Sequence, residues 1–133
     1  MFADTCFCID LIREQHRKHR GPATQKLAKL GNAPLFASVF VICELQAGAR
    51  LSSRPRRELR KVELLTNHFT VIYPDQTFAV AYGETEAYLR KKGVPIPTMD
   101  LLVGATAKVH GLPLLTRDVA HFESIPGLVI ERY

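Results

Sequence analysis

Short, unbroken apolar segments separated by longer amphipathic ones constrain the fold of this chain most strongly. Five such segments lie at residues 1–3, 35–37, 70–73, 113–116 and 128–130. Strands that are apolar throughout, without polar residues at every second position, are typical of a parallel sheet covered on both faces. We therefore predict an α/β fold, a three-layer sandwich in which a short parallel β-sheet is flanked by helices.

The segments between these strands have helical spacing and recognisable ends. Ser38 and Asp75 are expected to cap the helices that follow them, Pro55 suits a first helical position, and Gly93 suits an end. The predicted helices cover residues 6–15, 23–30, 39–49, 55–67, 76–93, 98–109 and 119–122. Strands and helices thus alternate throughout, as a parallel sheet requires.

The size and composition of the chain favour one domain spanning residues 1–133. No apolar run approaches the ~20 residues that cross a bilayer. An acid, not a basic region, precedes the first apolar residues, so we expect no secretory signal and a cytoplasmic location. Cys6, Cys8 and Cys43 lack the paired spacing of a zinc site and are expected to be buried, reduced thiols.

Four acids stand at positions where a carboxylate needs an explanation. Asp4 and Asp118 directly follow predicted strands, and Asp100 opens a predicted helix. Each of these three could simply cap a helix. Glu44 is different because it lies in an almost wholly apolar helix, where we expect little room for a solvated face. A buried carboxylate there needs a cation or a shifted pKa.

The predicted fold brings some of these acids together. Functional groups in open α/β sheets gather beyond the carboxyl ends of the strands, so at least Asp4 and Asp118 should share one edge. Clustered carboxylates repel one another, and Mg²⁺ or Mn²⁺ relieves that repulsion. Such a site favours metal-assisted phosphodiester hydrolysis. Thr5 and Thr116 stand near the acids and either support a carboxylate or bond local backbone.

Several short motifs follow one another along the chain. They are ADT at 3–5, ELQAG at 44–48, IPTMD at 96–100, ATA at 105–107, LTRD at 115–118 and IPGL at 125–128. Each is weak alone, but the ordered set spans essentially the whole chain. Together the motifs resemble those of the PIN-domain ribonucleases, and in particular the VapC-type toxins of bacterial toxin–antitoxin pairs.

The resemblance implies a Mg²⁺- or Mn²⁺-dependent endoribonuclease that forms a homodimer and is held inactive by a cognate antitoxin protein. The metal-binding, catalytic acids that it implies are Asp4, Glu44, Asp100 and Asp118. It also implies that Thr116 supplies a supporting hydroxyl. RNA is then the substrate, and the acids hold the metal that positions water against a phosphodiester.

Two positions depart from the pattern of these ribonucleases. Cys6 stands where many of them have Asn or Ser, so we expect a polar contact near the site to be missing. His121 stands where they often carry an Asp before the final Phe, and we assign it no catalytic role. Neither change removes one of the acids, so we expect an intact site.

The formal charge of +5 and a pI near 9.3 favour polyanionic partners. Most cations fall into three runs, at residues 13–20, 50–61 and 90–92. The last run suits the C-terminus of a helix, where the helix dipole favours cations. The first is placed to hold RNA phosphates, and the second is expected to meet RNA or an acidic partner segment, or to be a solvated face.

Two other functional classes compete with the ribonuclease hypothesis. A non-catalytic PIN-like module could bind RNA or protein, but it has no need of a costly carboxylate cluster. A phosphatase with an aspartyl nucleophile wants a second Asp two residues after the first, where this chain has Cys6. The sequence therefore favours the metal-dependent nuclease.

Overall fold

The computed structural model of the protein describes residues 1–133 and contains one five-stranded sheet. The strands are β1 (Phe2–Ala3), β2 (Phe36–Ser38), β3 (Thr70–Ile72), β4 (Leu114–Thr116) and β5 (Ile130–Arg132). Their order in the sheet is β3-β2-β1-β4-β5, and every neighbouring pair is parallel. The predicted α/β fold with a short parallel sheet flanked by helices is confirmed.

All seven predicted helices are present. They are α1 (Thr5–Arg17), α2 (Pro22–Leu30), α3 (Val39–Leu51), α4 (Pro55–Thr66), α5 (Gln76–Lys92), α6 (Thr98–Val109) and α7 (Val119–Phe122). The predicted caps form as well. Ser38 Oγ accepts a hydrogen bond from the Val41 N–H at 3.2 Å, and Asp75 Oδ1 accepts one from the Thr77 N–H at 2.9 Å. Gly93 ends α5 with a φ of 72°.

The two central strands are buried on both faces. Phe2 and Ala3 in β1, and Leu114 and Leu115 in β4, are each 0% exposed. Burying one such large side chain stabilises the fold by about 1.5–3 kcal/mol. Because helices cover both faces of the sheet, these strands have no solvent-facing side, which explains the absence of alternation in the sequence. The residues that follow β1 and β4 are therefore attached to fully buried strands.

The prediction for the last strand was wrong by two residues. We expected a strand at 128–130, but β5 covers Ile130–Arg132 and pairs with β4 through the register Leu114↔Ile130. The side chain of Leu128 reaches towards Gly104 of α6 instead. An edge strand pairs with one neighbour only, so β5 accommodates the polar residues Glu131 and Arg132. A prediction based on apolar runs does not include these two residues.

The expectation that all three thiols are buried was also partly wrong. All three cysteines are free; Cys8 is buried, Cys6 is partly buried, and Cys43 is exposed on α3. Apolar residues continue around α3, but its outer face is not covered by another element. No helix in the structure is long and apolar enough to span a membrane.

Glu14, near the end of α1, supplies the cap that α2 lacks. Gly21 precedes α2 and provides no side-chain cap. The Glu14 carboxylate instead accepts hydrogen bonds from the Ala23 N–H at 3.2 Å and the Thr24 N–H at 2.7 Å. A Cβ at Gly21 would lie 2.2 Å from Glu14 Oε1, so only glycine leaves room for this arrangement. The contact fixes the angle between the two helices.

We predict that Glu14→Ala lowers the free energy of unfolding by about 1 kcal/mol at pH 7, the usual value of a helix cap. Burial raises the pKa of Glu14, but the hydrogen bonds from Thr24 and Ala23 outweigh it and hold the pKa below its ordinary value. The stabilisation by the Glu14 carboxylate is therefore complete above its pKa in the unfolded chain, about 4.3. It is lost as the pH falls through the lower pKa of Glu14 in the folded protein.

Urea unfolding of both proteins at pH 7 and pH 3 tests this expectation. The difference between wild type and Glu14→Ala should shrink at pH 3. Gln15→Ala, which changes an exposed neighbour on the same helix, should have little effect at either pH. An equal loss for Glu14→Ala at both values would show that the carboxylate charge does not contribute.

Candidate active site

Asp4 and Thr116 meet where the two central strands end. β1 and β4 pair through Ala3↔Leu115, so the next residue of each strand emerges at the same edge of the sheet. Thr116 Oγ1 donates a hydrogen bond to Asp4 Oδ2 at 2.8 Å, and the Thr5 N–H donates one to Asp4 Oδ1 at 2.7 Å. Asp4 is 6% exposed, so these donors fix a nearly buried carboxylate. Thr116 thus supports Asp4, as its predicted position implied.

Cys6 provides a polar contact that we expected to be missing. Its Sγ donates to Asp4 Oδ2 at 3.1 Å and lies 3.3 Å from Thr116 Oγ1. Burial, and then the nearby charge of Asp4, raises the pKa of the Cys6 thiol, so the sulfur keeps its proton and can donate. The thiol therefore makes a polar contact with the Asp4 carboxylate, and the expectation that such a contact would be missing was wrong.

Glu44 reaches the same edge from α3. Its Oε2 accepts a hydrogen bond from the hydroxyl of Thr5, the residue that follows Asp4. Our expectation of a buried Glu44 was wrong in degree, because the side chain is only partly buried and neighbouring Cys43, Ala47 and Gly48 are exposed. The carboxylate has a neutral partner and remains accessible.

Asp100 and Asp118 complete the group, and neither acts as a simple helix cap. Asp100 is the third residue of α6, whose N-cap is Pro97. Asp118 holds the N-cap position of α7 but makes no side-chain capping bond. Its backbone N–H donates to Thr116 Oγ1 at 3.0 Å, which ties Asp118 to the residue that supports Asp4.

The electrostatic environment of Asp100 reflects the crowding of these acids. Burial is the largest cause that raises its pKa, and the charges of Asp4 and Asp118 raise it further, whereas His121 opposes them. The Asp100 side chain is 25% exposed, and its Oδ2 lies 3.0 Å from His121 Nδ1. At neutral pH, the ionised carboxylate is therefore held at a cost that a cation would relieve.

All four predicted acids line one open cleft of about 300 Å³. Ligand atoms of Asp4, Cys6 and Asp118 lie within 4.8 Å of one another. Two oxygens on opposite sides of one divalent cation stand about 4–5 Å apart, because each bond is about 2.0–2.6 Å long. Asp4 and Asp118 are thus spaced to share a cation, and Asp100 and Glu44 lie beside them. Oxygen donors of this kind suit a hard cation.

Four further residues lie near the acids. His121, to which the sequence analysis assigned no catalytic role, contacts Asp100, and Arg117 contacts its neighbour Asp118, with Nε 3.8 Å from Oδ1. Asp10 and Tyr133 contact each other at 3.0 Å, between residues 123 positions apart. This last contact has no signal in the sequence, because it joins distant parts of the chain.

Two of the basic runs adjoin one another. Arg57 Nη2 lies 3.0 Å from His16 Nε2, which brings the run at 50–61 beside the run at 13–20. Within α4, Arg60 and Lys61 pair with glutamates, at 2.8 and 2.7 Å, whereas Arg56 forms no ion pair and is exposed. Arg13 reaches the acidic cleft itself. The cations therefore form a rim that begins at the acids and continues along α1 and α4.

The family to which this architecture belongs follows from comparison with known proteins. The family model of the PIN domain matches residues 1–128. A curated relative, the tRNA(fMet)-specific endonuclease VapC of Salmonella typhimurium, is 30% identical over 128 residues, covering 96% of this chain and 93% of the relative. Ribonuclease VapC1 of Haemophilus influenzae is 33% identical over 99 residues, 74% of each chain. The chain belongs to the PIN-domain family, and these relatives are VapC ribonucleases.

Solved structures agree with this assignment. The crystal structure of VapBC2 from Rickettsia felis, bound to a DNA fragment from its promoter, contains a chain that superposes with a TM-score of 0.88 at 26% identity. The alignment covers 98% of this chain and 96% of that one. DNA-bound VapBC from Salmonella typhimurium gives a TM-score of 0.87 at 30% identity, with the same coverage. The whole fold, including the strands that carry Asp4 and Asp118, therefore has close structural counterparts.

We predict that Asp100→Asn stabilises the metal-free protein. A raised folded-state pKa means that ionised Asp100 destabilises the fold at pH 7, so removing the charge should raise the melting temperature by about 2–4 °C. Scanning calorimetry with chelator measures this change. On adding saturating Mn²⁺, wild type should gain more than the variant, because the variant has lost one of the four carboxylates that line the cleft.

Glu84→Gln serves as the control, since it removes the charge of an exposed acid on α5, outside the cleft. Its melting temperature should follow wild type with and without Mn²⁺. A lower melting temperature for metal-free Asp100→Asn would contradict the prediction, because it would mean that ionised Asp100 does not destabilise the fold.

Proposed function

We propose that this protein is a metal-dependent endoribonuclease and the toxin of a toxin–antitoxin pair. The observation that carries the proposal is the convergence of Asp4, Glu44, Asp100 and Asp118 on one open cleft. The names of the relatives support it, since they are ribonucleases or endonucleases of the VapC type. The structural neighbours are VapBC complexes, which supports a cognate antitoxin as partner.

Mg²⁺ or Mn²⁺ is the proposed cofactor, with Asp4 and Asp118 as its main ligands and Asp100 and Glu44 beside them. The oxygen donors and the spacing of Asp4 and Asp118 fit such an ion. When bound, a divalent cation would polarise a phosphoryl oxygen and lower the pKa of a water molecule. The result is direct hydrolysis of the phosphodiester, with no nucleophilic side chain required.

The roles proposed for the surrounding side chains follow from their contacts. Thr116 and Cys6 donate to Asp4 Oδ2 and so fix the direction of its carboxylate. Thr5 does the same for Glu44. Groups that orient metal ligands in this way commonly change metal affinity or activity by about 10–100-fold when they are removed. We therefore assign Thr116 a supporting role.

The remaining assignments concern the partners and the extent of the functional unit. We propose a homodimer, since Leu51 on α3 is 88% and Val80 on α5 is 62% exposed, which leaves apolar surface for a second copy. Residues 1–133 would form a single nuclease domain. RNA is its proposed substrate, so we expect it to act in the cytoplasm. The alternative, a non-catalytic PIN-like module, would share the fold and the basic rim.

We predict that the purified protein cleaves total cellular RNA with Mg²⁺ or Mn²⁺ and not with chelator. Asp4→Asn should reduce the rate by about 100-fold or more, because it removes the charge of the carboxylate that Thr116 and Cys6 hold in place. Thr116→Val should reduce it by about 10-fold. Gel analysis and mapping of the cut ends measure both effects.

Glu84→Gln is again the matched control and should cleave as wild type does. A folded, antitoxin-free preparation that cuts no RNA with either metal would contradict the nuclease and favour the binding module. Equal cutting by wild type and Asp4→Asn would point to a contaminating nuclease.

We also predict that the double variant Arg56→Glu, Arg57→Glu weakens binding to RNA by about 10-fold at low salt and flattens its salt dependence. The rim formed by α1 and α4 would then carry the flanking phosphates. Binding to labelled bulk tRNA and to the cognate antitoxin should be measured side by side. Lys91→Glu, Lys92→Glu at the end of α5 is the control. Unchanged affinity for both partners would make the rim a solvated face.

A further inference from the structure

Asp10 on α1 organises a second group of side chains beside the acidic cleft. Its Oδ2 accepts hydrogen bonds from Arg117 Nη1 and from the Tyr133 hydroxyl, the latter at 3.0 Å. Its Oδ1 lies 4.0 Å from Arg13 Nη1. The Asp10 side chain is 14% exposed, so it is a fixed anchor and not a mobile surface acid. One carboxylate thus contacts two arginines and a tyrosine.

Tyr133 directly follows β5 and is itself held firmly. Its ring packs edge-on against Phe7, with centroids 4.9 Å apart and an interplanar angle of 75°. Burial raises the pKa of Tyr133 well above its ordinary value, so the hydroxyl keeps its proton and donates to Asp10. Phe7 is 0% exposed, and the donor is therefore built onto the core.

Arg117 lies between Thr116 and Asp118 in the chain and lines the cleft together with Arg13. Asp10 binds its Nη1, and its Nε lies 3.8 Å from Asp118 Oδ1, whereas Nη2 makes no hydrogen bond within the protein. The Arg117 side chain remains 47% exposed. Asp10 and Asp118 thus hold the guanidinium in place through Nη1 and Nε, and the N–H groups of Nη2 remain free to donate to an oxyanion.

We propose that Arg117, assisted by Arg13, binds the phosphate of the RNA beside the four carboxylates, and that Asp10 and Tyr133 are the positioning residues that orient Arg117. This inference rests on the proposed ribonuclease function. A phosphodiester is repelled by the carboxylates of the cleft, and a guanidinium held in one orientation offsets that repulsion and presents the free N–H groups of Nη2 to the phosphate.

A purely structural ion-pair network is the competing explanation of the same contacts. It would join α1 to the segment between β4 and α7 and affect stability alone. The positioning role differs because it changes RNA affinity and its salt dependence. The Asp10→Asn variant separates them further: it removes a negative charge near the cleft, so simple electrostatics predicts tighter RNA binding, whereas loss of an oriented Arg117 predicts weaker binding.

The experiment measures binding of fluorescently labelled bulk tRNA by anisotropy, in the Asp4→Asn background with Mg²⁺, across a series of salt concentrations. Arg117→Ala should raise Kd by about 10-fold or more and reduce the slope of log K against log salt by about 0.7, the value of one phosphate contact on a single strand. Arg117→Lys should have a Kd between those of the Arg117 protein and Arg117→Ala. Asp10→Asn and Tyr133→Phe should each raise Kd by a few-fold.

Lys29→Ala, which removes an exposed cation on α2, is the control and should leave Kd and slope unchanged. Circular dichroism melting of each variant separates lost folding from lost binding, and Tyr133→Phe keeps the ring against Phe7 if the alanine variant does not fold. Unchanged Kd and slope for Arg117→Ala, or tighter binding by Asp10→Asn, would overturn this inference.

A parallel assay measures cleavage of total RNA by the protein that retains Asp4. This assay separates the proposed role of Arg117 from the proposed ribonuclease function. If that protein cuts RNA with metal while the Arg117 variants bind tRNA normally, only the role of Arg117 fails. If it cuts no RNA, the proposed function fails, and the role of Arg117 fails with it.

Discussion

The hydrogen bond from Thr116 Oγ1 to Asp4 Oδ2 is the contact on which the rest of the site depends. It is 2.8 Å long and joins residues 112 positions apart, at the ends of the two most buried strands. A carboxylate that is 6% exposed would be costly without such donors. The same hydroxyl oxygen accepts a hydrogen bond from the Asp118 N–H, so one threonine sets the positions of two acids. The parallel register of β1 and β4 therefore sets the geometry of the acidic cluster.

The cost of holding Asp100 in its ionised form is the second property of this site. Burial is the largest cause that raises the pKa of Asp100, and the charges of Asp4 and Asp118 raise it further against the opposing effect of His121. The fold tolerates that cost because the core beneath is closely packed. A divalent cation would offset it, and Arg13 and Arg117 line the same cleft as the acids.

The fold, and the position of the acids at one edge of the sheet, could be predicted from the sequence because their signals are local. Strand ends and caps are encoded by neighbouring residues, so the placement of Asp4 and Asp118 at one sheet edge could be reasoned from periodicity. The contact of Asp10 with Tyr133 could not, since 123 residues separate them and either side chain alone is unremarkable. The solvated side of Glu44 was missed for a related reason, because helix composition does not reveal which face another element covers.

Anomalous scattering from Mn²⁺-soaked crystals of the protein would test the central claim most directly. If the four acids form a metal site, a peak should lie in the cleft, with carboxylate oxygens of Asp4 and Asp118 about 2.0–2.6 Å away. The absence of a peak there at saturating Mn²⁺, or a peak only near surface histidines such as His16 and His19, would contradict it. The acidic cleft would then need a different explanation.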